Sequence, residues 1–505
     1  MQLFVSTGLI ALIVAWALFS PASLDRVFTT LLGQITHNFG WLYLWLVLGL
    51  VVLAFFLAFS RFGDLKLGDE DDEPEFSTGA WFSMLFAAGM GIGLVFWGVG
   101  EPISHFRNPP PGVVAGTPEA AAVAMRYAFF HWGLHPWAIY GIVGLAIAFF
   151  TFRRKALPLV SSATEALPWR GMAALSPLFN VMAVVATAFG VAASLGMGAT
   201  QINAGLATAF GLPVTPWVQA AIIVVTTALF ITSAVSGVER GVKWLSIGNL
   251  ALAGLLTAFV FIAGPTVAVI ETLTSTLGSY ASEFVRMSLR MTPFRSSSWI
   301  GNWTLFYWAW WLAWSPFVGL FIARVSRGRT IRQFILGTVI APTLVGFVWF
   351  AVFGGTALNM QIFQGVPLAE AVATDVSSAL YVMLNALPLG WLTSGVATLL
   401  VFVFFVTSGD SAALVLGTMS TGGNANPPAR VKVIWGLLVA GIALSLLMAG
   451  GLQAIQTATI VFALPFALVL LLMAVSVTLA IRHDWNEEQR RDKALRRKMR
   501  ALVND

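Results

Sequence analysis

WTLFYWAWWLAWSPFVGLFIARVSRGRTIRQF, residues 303–334, decides the broad class of this chain. Its first part, Trp303 to Ala323, is an apolar run about as long as the ~20 residues that a helix needs to cross a bilayer. Arg324, Arg327, Arg329 and Arg332 follow at once, and a second apolar run begins beside them. A basic connection between two such runs is the mark of a cytoplasmic loop.

The rest of the 505 residues repeats this pattern. Apolar types make up 58% and charged types 10%, whereas soluble domains carry about 25% charged residues. Too few charges remain to coat a water-facing surface. This excludes a soluble enzyme, a disordered chain and a nucleic-acid binder. A transmembrane β-barrel is excluded by run length, because barrel strands alternate over about ten residues. The cysteine count is zero, so there is no disulfide, thiolate chemistry or Cys-ligated metal. Met1 opens onto an apolar run with no small-residue cleavage site after it, which predicts an uncleaved first span.

Twelve apolar segments are read, near 3–20, 41–59, 79–99, 131–151, 174–209, 214–235, 244–271, 299–323, 331–355, 390–416, 433–450 and 455–481. Irregular backbone cannot face lipid, so each is expected to be helical and the chain all-α. With the first residue inside, most of the 28 Lys and Arg residues fall in cytoplasmic segments, which predicts both termini in the cytoplasm. Residues 272–298 read as an amphipathic surface helix and 364–389 as a structured outer loop. Residues 482–505 read as a short basic tail, either simply solvated or in contact with anionic lipid.

Four segments carry unusual chemistry. Gly89, Gly91 and Gly93 alternate within the third span, a costly arrangement in a helix interior. It predicts either tight helix packing or a broken helix with free backbone groups at mid-membrane. In the fourth span Trp132, Trp137 and Tyr140 fall on one arc of a helix, with Pro136 expected to loosen it. His131 and His135 have a spacing that suits a metal, but no carboxylate or cysteine accompanies them in sequence. In the eighth span Trp299, Trp303, Trp308, Trp310, Trp311 and Trp314 crowd together. An interfacial belt needs one or two rings per helix end. Stacked π faces suit a cation without N–H donors, such as a quaternary ammonium. In the tenth span Thr407 and Ser408 offer hydroxyl oxygens to a hard cation such as sodium, or bond back to the preceding turn. Asp410 is a carboxylate in or near the membrane.

FAAGMGIGLVFWGVGEP (86–102), FHWGLHPWAIY (130–140), the opening stretch at 303–334 and TSGDS (407–411) together resemble the betaine/choline/carnitine transporter family. The resemblance implies twelve transmembrane helices and alternating access. Two peripheral helices (1–60) would precede LeuT-type inverted five-helix repeats, at 79–271 and 299–481. It implies a homotrimer in the cell (inner) membrane, with no organic cofactor and no nucleic-acid partner. Its implied substrate cage is Trp132, Trp137, Tyr140 and Trp311, with Trp310 and Trp314 beside the pathway. Gly89, Met90, Gly91 and Gly93 would face the carboxylate of a small zwitterion. Its implied sodium site is Ala87, Met90, Phe404, Thr407 and Ser408. A second sodium site would use Thr187 and Phe317, but Val191 stands where that site has another oxygen ligand. Sodium-independent exchangers of the family carry an arginine in the seventh span, and Ser246–Leu256 has no basic residue. Proton-coupled choline members carry Asp where this chain has Gly93. These points imply sodium-coupled symport of a zwitterion such as glycine betaine. Antiport without sodium and proton-coupled choline uptake are the alternatives.

Overall fold

The computed structural model describes residues 2–89, 91–236, 239–294 and 297–504. Among them the regular structure is helical. In order the helices are α1 (Gln2–Phe19), α2 (Pro21–Phe59), α3 (Thr78–Gly89), α4 (Ile92–Arg107), α5 (Pro118–Trp132) and α6 (Leu134–Ala148). Then come α7 (Met172–Phe210), α8 (Pro216–Ser236), α9 (Glu239–Ala263), α10 (Thr266–Ser288) and α11 (Phe306–Arg324). The chain closes with α12 (Ile331–Phe363), α13 (Leu368–Thr374), α14 (Ala379–Asn385), α15 (Gly390–Ser420) and α16 (Ala429–Asn504). Ten helical stretches of the described residues are long and apolar enough to cross a membrane.

Local chemistry sets the boundaries. Thr117 caps α5 by accepting from the backbone N–H of Ala120, with Pro118 in the first turn. Thr330 and Gln333 form a reciprocal capping box at the start of α12. α7 ends on Gly211, whose φ of +69° is a left-handed conformation that glycine adopts without penalty.

Packing sorts the helices into layers. α5, α6, α11 and the middle of α7 are largely buried, whereas α1, α8 and α9 turn most of their apolar length outward. Phe4, Phe19, Trp217, Trp244 and Ile262 are among the exposed apolar side chains, and lipid is the medium that such a surface suits. α11 lies at the centre against α6, α7 and α16, and α4 packs on α5 and α12.

Three expectations are corrected. The second helix is longer than the apolar segment 41–59, because α2 runs unbroken from Pro21 for 39 residues. The polar side chains of its first half, Asp25 to Asn38, lower the hydropathy without breaking the helix. The interruption between α5 and α6 falls at Gly133, not at Pro136. Pro136 sits in the first turn of α6, where its missing N–H has no intrahelical acceptor anyway. The amphipathic helix runs from Thr266 to Ser288, earlier than 272–298, whereas the basic tail is helical as read and forms the end of α16. α16 itself bends at Gly450 and Gly451, whose backbone angles are non-helical.

On the face that carries the Arg324–Arg332 loop, Arg153 reaches Asp484 (3.3 Å) and Glu488, while Arg154 reaches Asp484 at 2.6 Å. These contacts tie the tail helix to the turn that follows α6. Nearby, the Asp72 carboxyl is held below the usual carboxylate range by the Asp69 backbone N–H and then by the Arg327 guanidinium.

Candidate functional site

The third span is interrupted as one of the two readings of its glycines expects. α3 ends at Gly89 and α4 starts at Ile92, with Gly91 extended at its N-cap. Met90 lies outside the described residues. Ala87 is in the last turns of α3. α4 therefore begins inside the bundle with backbone N–H groups that lack helical acceptors.

Against this start stands a wall of aromatic rings. Trp311 of α11 is its middle. Its ring centroid is 4.8 Å from Trp132 of α5 and 6.1 Å from Tyr140 of α6, both edge-on. Tyr140 in turn meets Trp137 at 5.6 Å. Trp310 stacks on Trp311 at 4.6 Å and stands perpendicular to Trp132 at 6.1 Å. The sequence-predicted Trp132, Trp137, Tyr140, Trp310 and Trp311 are thus brought together from three helices, and all are buried. Trp314 points elsewhere: its indole N–H donates to the Gly190 carbonyl of α7 at 2.7 Å.

Gly93 closes the wall on the α4 side. A Cβ there would lie 2.5 Å from Trp310 Cη2 and 3.1 Å from Trp132 Cη2, so only glycine fits without displacing a ring. The remaining tryptophans of the 299–314 cluster serve other faces. Trp299 donates to the Asn108 carbonyl at 2.9 Å, Trp303 packs on His105 and Trp308 stacks on His135.

The two histidines part company. His135 bonds Ser288 of α10 at 2.9 Å. His131 turns inward, and the expectation that no carboxylate accompanies it is corrected by Glu101 of α4. Glu101 is fully buried. Its Oε1 meets His131 Nδ1 at 2.6 Å and His105 Nε2 at 3.1 Å. Its Oε2 accepts from Trp132 Nε1 at 2.8 Å and Tyr307 Oη at 2.5 Å. The ligand-type atoms of Glu101, His105 and His131 lie within 4.8 Å of one another, a spacing that could also hold a metal ion. Sequence reasoning missed Glu101 and Tyr307. The available signal was a lone carboxylate within an apolar run, a functional suspect by default.

Of the predicted sodium ligands, Phe404, Thr407 and Ser408 are on α15, and Ser408 comes close to the interruption. A Cβ on Gly91 would be 3.9 Å from Ser408 Oγ. Thr407 Oγ1 donates to the Val403 carbonyl at 2.9 Å, so it bonds back to the preceding turn. A hydroxyl that donates its proton keeps its oxygen lone pairs as acceptors. Phe404, Thr407 and Ser408 are half-buried. Thr187 on α7 is fully buried, and its hydroxyl has no hydrogen-bond partner among the described residues. Phe317 and Val191 are buried too, and Val191 contributes no oxygen.

A bundle with lipid-suited outer helices, an interrupted inner helix and a central aromatic enclosure defines a multi-pass membrane protein. The chain belongs to the BCCT, betaine/carnitine/choline family transporters, whose model matches residues 2–486. It is a transporter and not an enzyme. It is 45% identical to the ectoine/hydroxyectoine transporter of Virgibacillus pantothenticus, over 94% of this chain and 95% of that one. It is likewise 45% identical to the glycine betaine transporter OpuD of Bacillus subtilis, over 95% of this chain and 94% of that one. The betaine/ectoine transporter LcoP of Corynebacterium glutamicum is 41% identical over 94% of this chain and 76% of its own.

Proposed function

We propose that this chain imports a betaine-type zwitterion, glycine betaine foremost and ectoine next, by sodium-coupled symport with alternating access. The observation that carries the reading is the enclosure of Trp132, Trp137, Tyr140 and Trp311 at the interruption between α3 and α4. A quaternary ammonium head has no N–H, so ring faces are its natural receptor. Its carboxylate suits the free N–H groups at Gly91–Gly93, where α4 begins. Trp310 backs the enclosure, and Trp314 lines the way toward α7. The ectoine and glycine betaine transporters among the relatives support the substrate class.

Sodium would be held by carbonyls of Ala87, Met90 and Phe404 and by the hydroxyls of Thr407 and Ser408. The approach of Gly91 to Ser408 supports this placement. Bound there, sodium would join the interrupted helix to α15 and favour the state that receives substrate. Thr187 and Phe317 would supply part of a second site, which Val191 leaves one oxygen short.

The architecture we propose has twelve crossings. α3 with α4, and α5 with α6, each make one interrupted crossing, and α16 makes two about Gly450–Gly451. Residues 79–271 and 299–481 would be LeuT-type inverted repeats behind the helices of 1–60. α10 would lie along the outer surface, and the basic tail 482–505 would touch anionic lipid in the cytoplasm. Three copies would assemble in the inner membrane.

The test is uptake of labelled glycine betaine into proteoliposomes, with and without an inward sodium gradient. Gradient-driven accumulation is expected, and Thr407→Ala with Ser408→Ala should weaken the sodium dependence. Uptake indifferent to sodium would overturn the symport.

A further inference from the structure

The enclosure has an anion built in behind it. Glu101 receives four contacts at 2.5–3.1 Å, from His105 of its own helix, His131 and Trp132 of α5, and Tyr307 of α11. Two of these donors are rings of the aromatic wall itself. Trp132 faces Trp311, and Tyr307 stacks on Trp311 with centroids 5.8 Å apart and planes 25° apart. The segment behind them holds Trp311 as well, because its indole N–H donates to the His131 carbonyl at 3.0 Å.

The hydrogen-bond inventory accommodates a negative charge on Glu101. Each imidazole reaches Glu101 Oε1 with one nitrogen, which a neutral tautomer satisfies as an N–H donor. The Thr304 hydroxyl lies 3.0 Å from the other nitrogen of His131 and can donate to it. Both histidines can therefore be neutral, and among the described residues no Lys or Arg pairs with Glu101. The carboxylate keeps its negative charge through charge-assisted hydrogen bonds in place of a counter-ion. An anion that accepts from an indole N–H and a phenol O–H pushes electron density into those rings, and their faces become better partners for a cation.

We propose that Glu101 is the positioning and specificity-determining residue of the enclosure, holding Trp132 and Tyr307 in place and tuning their rings toward a cationic head group. The proposal rests on the betaine reading above. It adds a carboxylate that never touches the substrate and still decides how strongly a positive head is preferred over a neutral one of equal size.

The test compares glycine betaine with tert-butylacetate, which has the same shape and carboxylate but a neutral carbon in place of the quaternary nitrogen. Binding to the purified protein is followed by tryptophan fluorescence. Glu101→Gln should weaken glycine betaine by about tenfold and tert-butylacetate by less than about twofold, so the preference for the charged head collapses. A carboxylate that merely glues helices together would weaken both probes equally, and that result would overturn the proposal. Tyr307→Phe removes a single hydroxyl and should shift the preference in the same direction by about threefold. Should Glu101→Gln not be recovered folded, an unchanged preference in Tyr307→Phe would overturn the proposal. Wild type that binds neither probe would overturn the betaine reading itself, whereas wild type that binds betaine while both variants keep its preference would sink the role of Glu101 alone.

Discussion

Gly93→Ala adds one methyl group at the tightest point of the enclosure. The new Cβ would stand 2.5 Å from Trp310 Cη2 and 3.1 Å from Trp132 Cη2. Carbon atoms in contact prefer about 3.5–4.0 Å, so the Trp310 ring has to retreat by roughly 1 Å. It has nowhere free to go, being 2% exposed and stacked on both Trp311 (4.6 Å) and Phe306 (5.7 Å). Overpacking of this kind costs about 1–3 kcal/mol. The displacement passes directly into Trp311, so the cost falls on the form that encloses substrate. The dissociation constant for glycine betaine should then rise by about five- to 150-fold. Tryptophan fluorescence titration of the purified protein measures it, and a thermal melt separates loss of affinity from loss of fold. Trp310→Phe deletes the benzo carbons that collide, so Gly93→Ala combined with Trp310→Phe should bind as Trp310→Phe does alone. Unchanged affinity in Gly93→Ala, or no relief in the double variant, would refute the reasoning.

Other outcomes follow from the same contacts. Trp311→Leu removes the middle ring of the wall and a desolvated cation–π contact of about 2 kcal/mol, so half-saturation should rise about 30-fold. Uptake curves with equal half-saturation in wild type and variant would sink the cage assignment. Arg153→Ala severs the ties to Asp484 and Glu488 and to the Lys66 and Gly68 carbonyls. Amide exchange over residues 482–490 should accelerate by about tenfold, and unchanged protection would show that the tail is held by something else. Asp72 has a carboxyl pKa lowered in the folded state, first by the Asp69 backbone N–H and then by Arg327, so these contacts stabilise above the unfolded value and are lost as pH falls through the lower folded one. Proteolysis of the 64–77 loop should therefore stay constant from about pH 7 to pH 5 and rise only below the ordinary carboxylate value of about 3.9. Release of the loop already near pH 5 would contradict the assignment.

The residues that meet in the aromatic wall were legible because their chemistry is rare and local. Six tryptophans within residues 299–314 exceed what an interface belt requires, and three alternating glycines narrow the third span to two readings, close packing or an interruption. Glu101 was quoted within a motif and given no role. Its meaning depends on Tyr307, 206 positions away, and on His131, 30 positions away, and only the packing of α4, α5 and α11 brings them together. The polar half of α2 lay outside the apolar segment 41–59 for a different reason. Hydropathy reports the solvent that a segment prefers, and a helix that leaves the apolar layer stays a helix. Pro136 misled because a proline restricts a helix only where an N–H is needed, and the first turn of α6 needs none.

The length of α2 has a practical consequence. At 1.5 Å per residue its 39 residues span roughly 58 Å, about twice the hydrocarbon thickness of a bilayer. Even a tilt of about 40° leaves it some 45 Å tall, so its polar half has to stand clear of the lipid as a post. Gln34 is exposed on that post, and the chain has no cysteine to compete for a thiol reagent. A single Gln34→Cys substitution therefore turns the protein into its own compass: a membrane-impermeant maleimide applied to intact cells reads which side of the membrane the post faces.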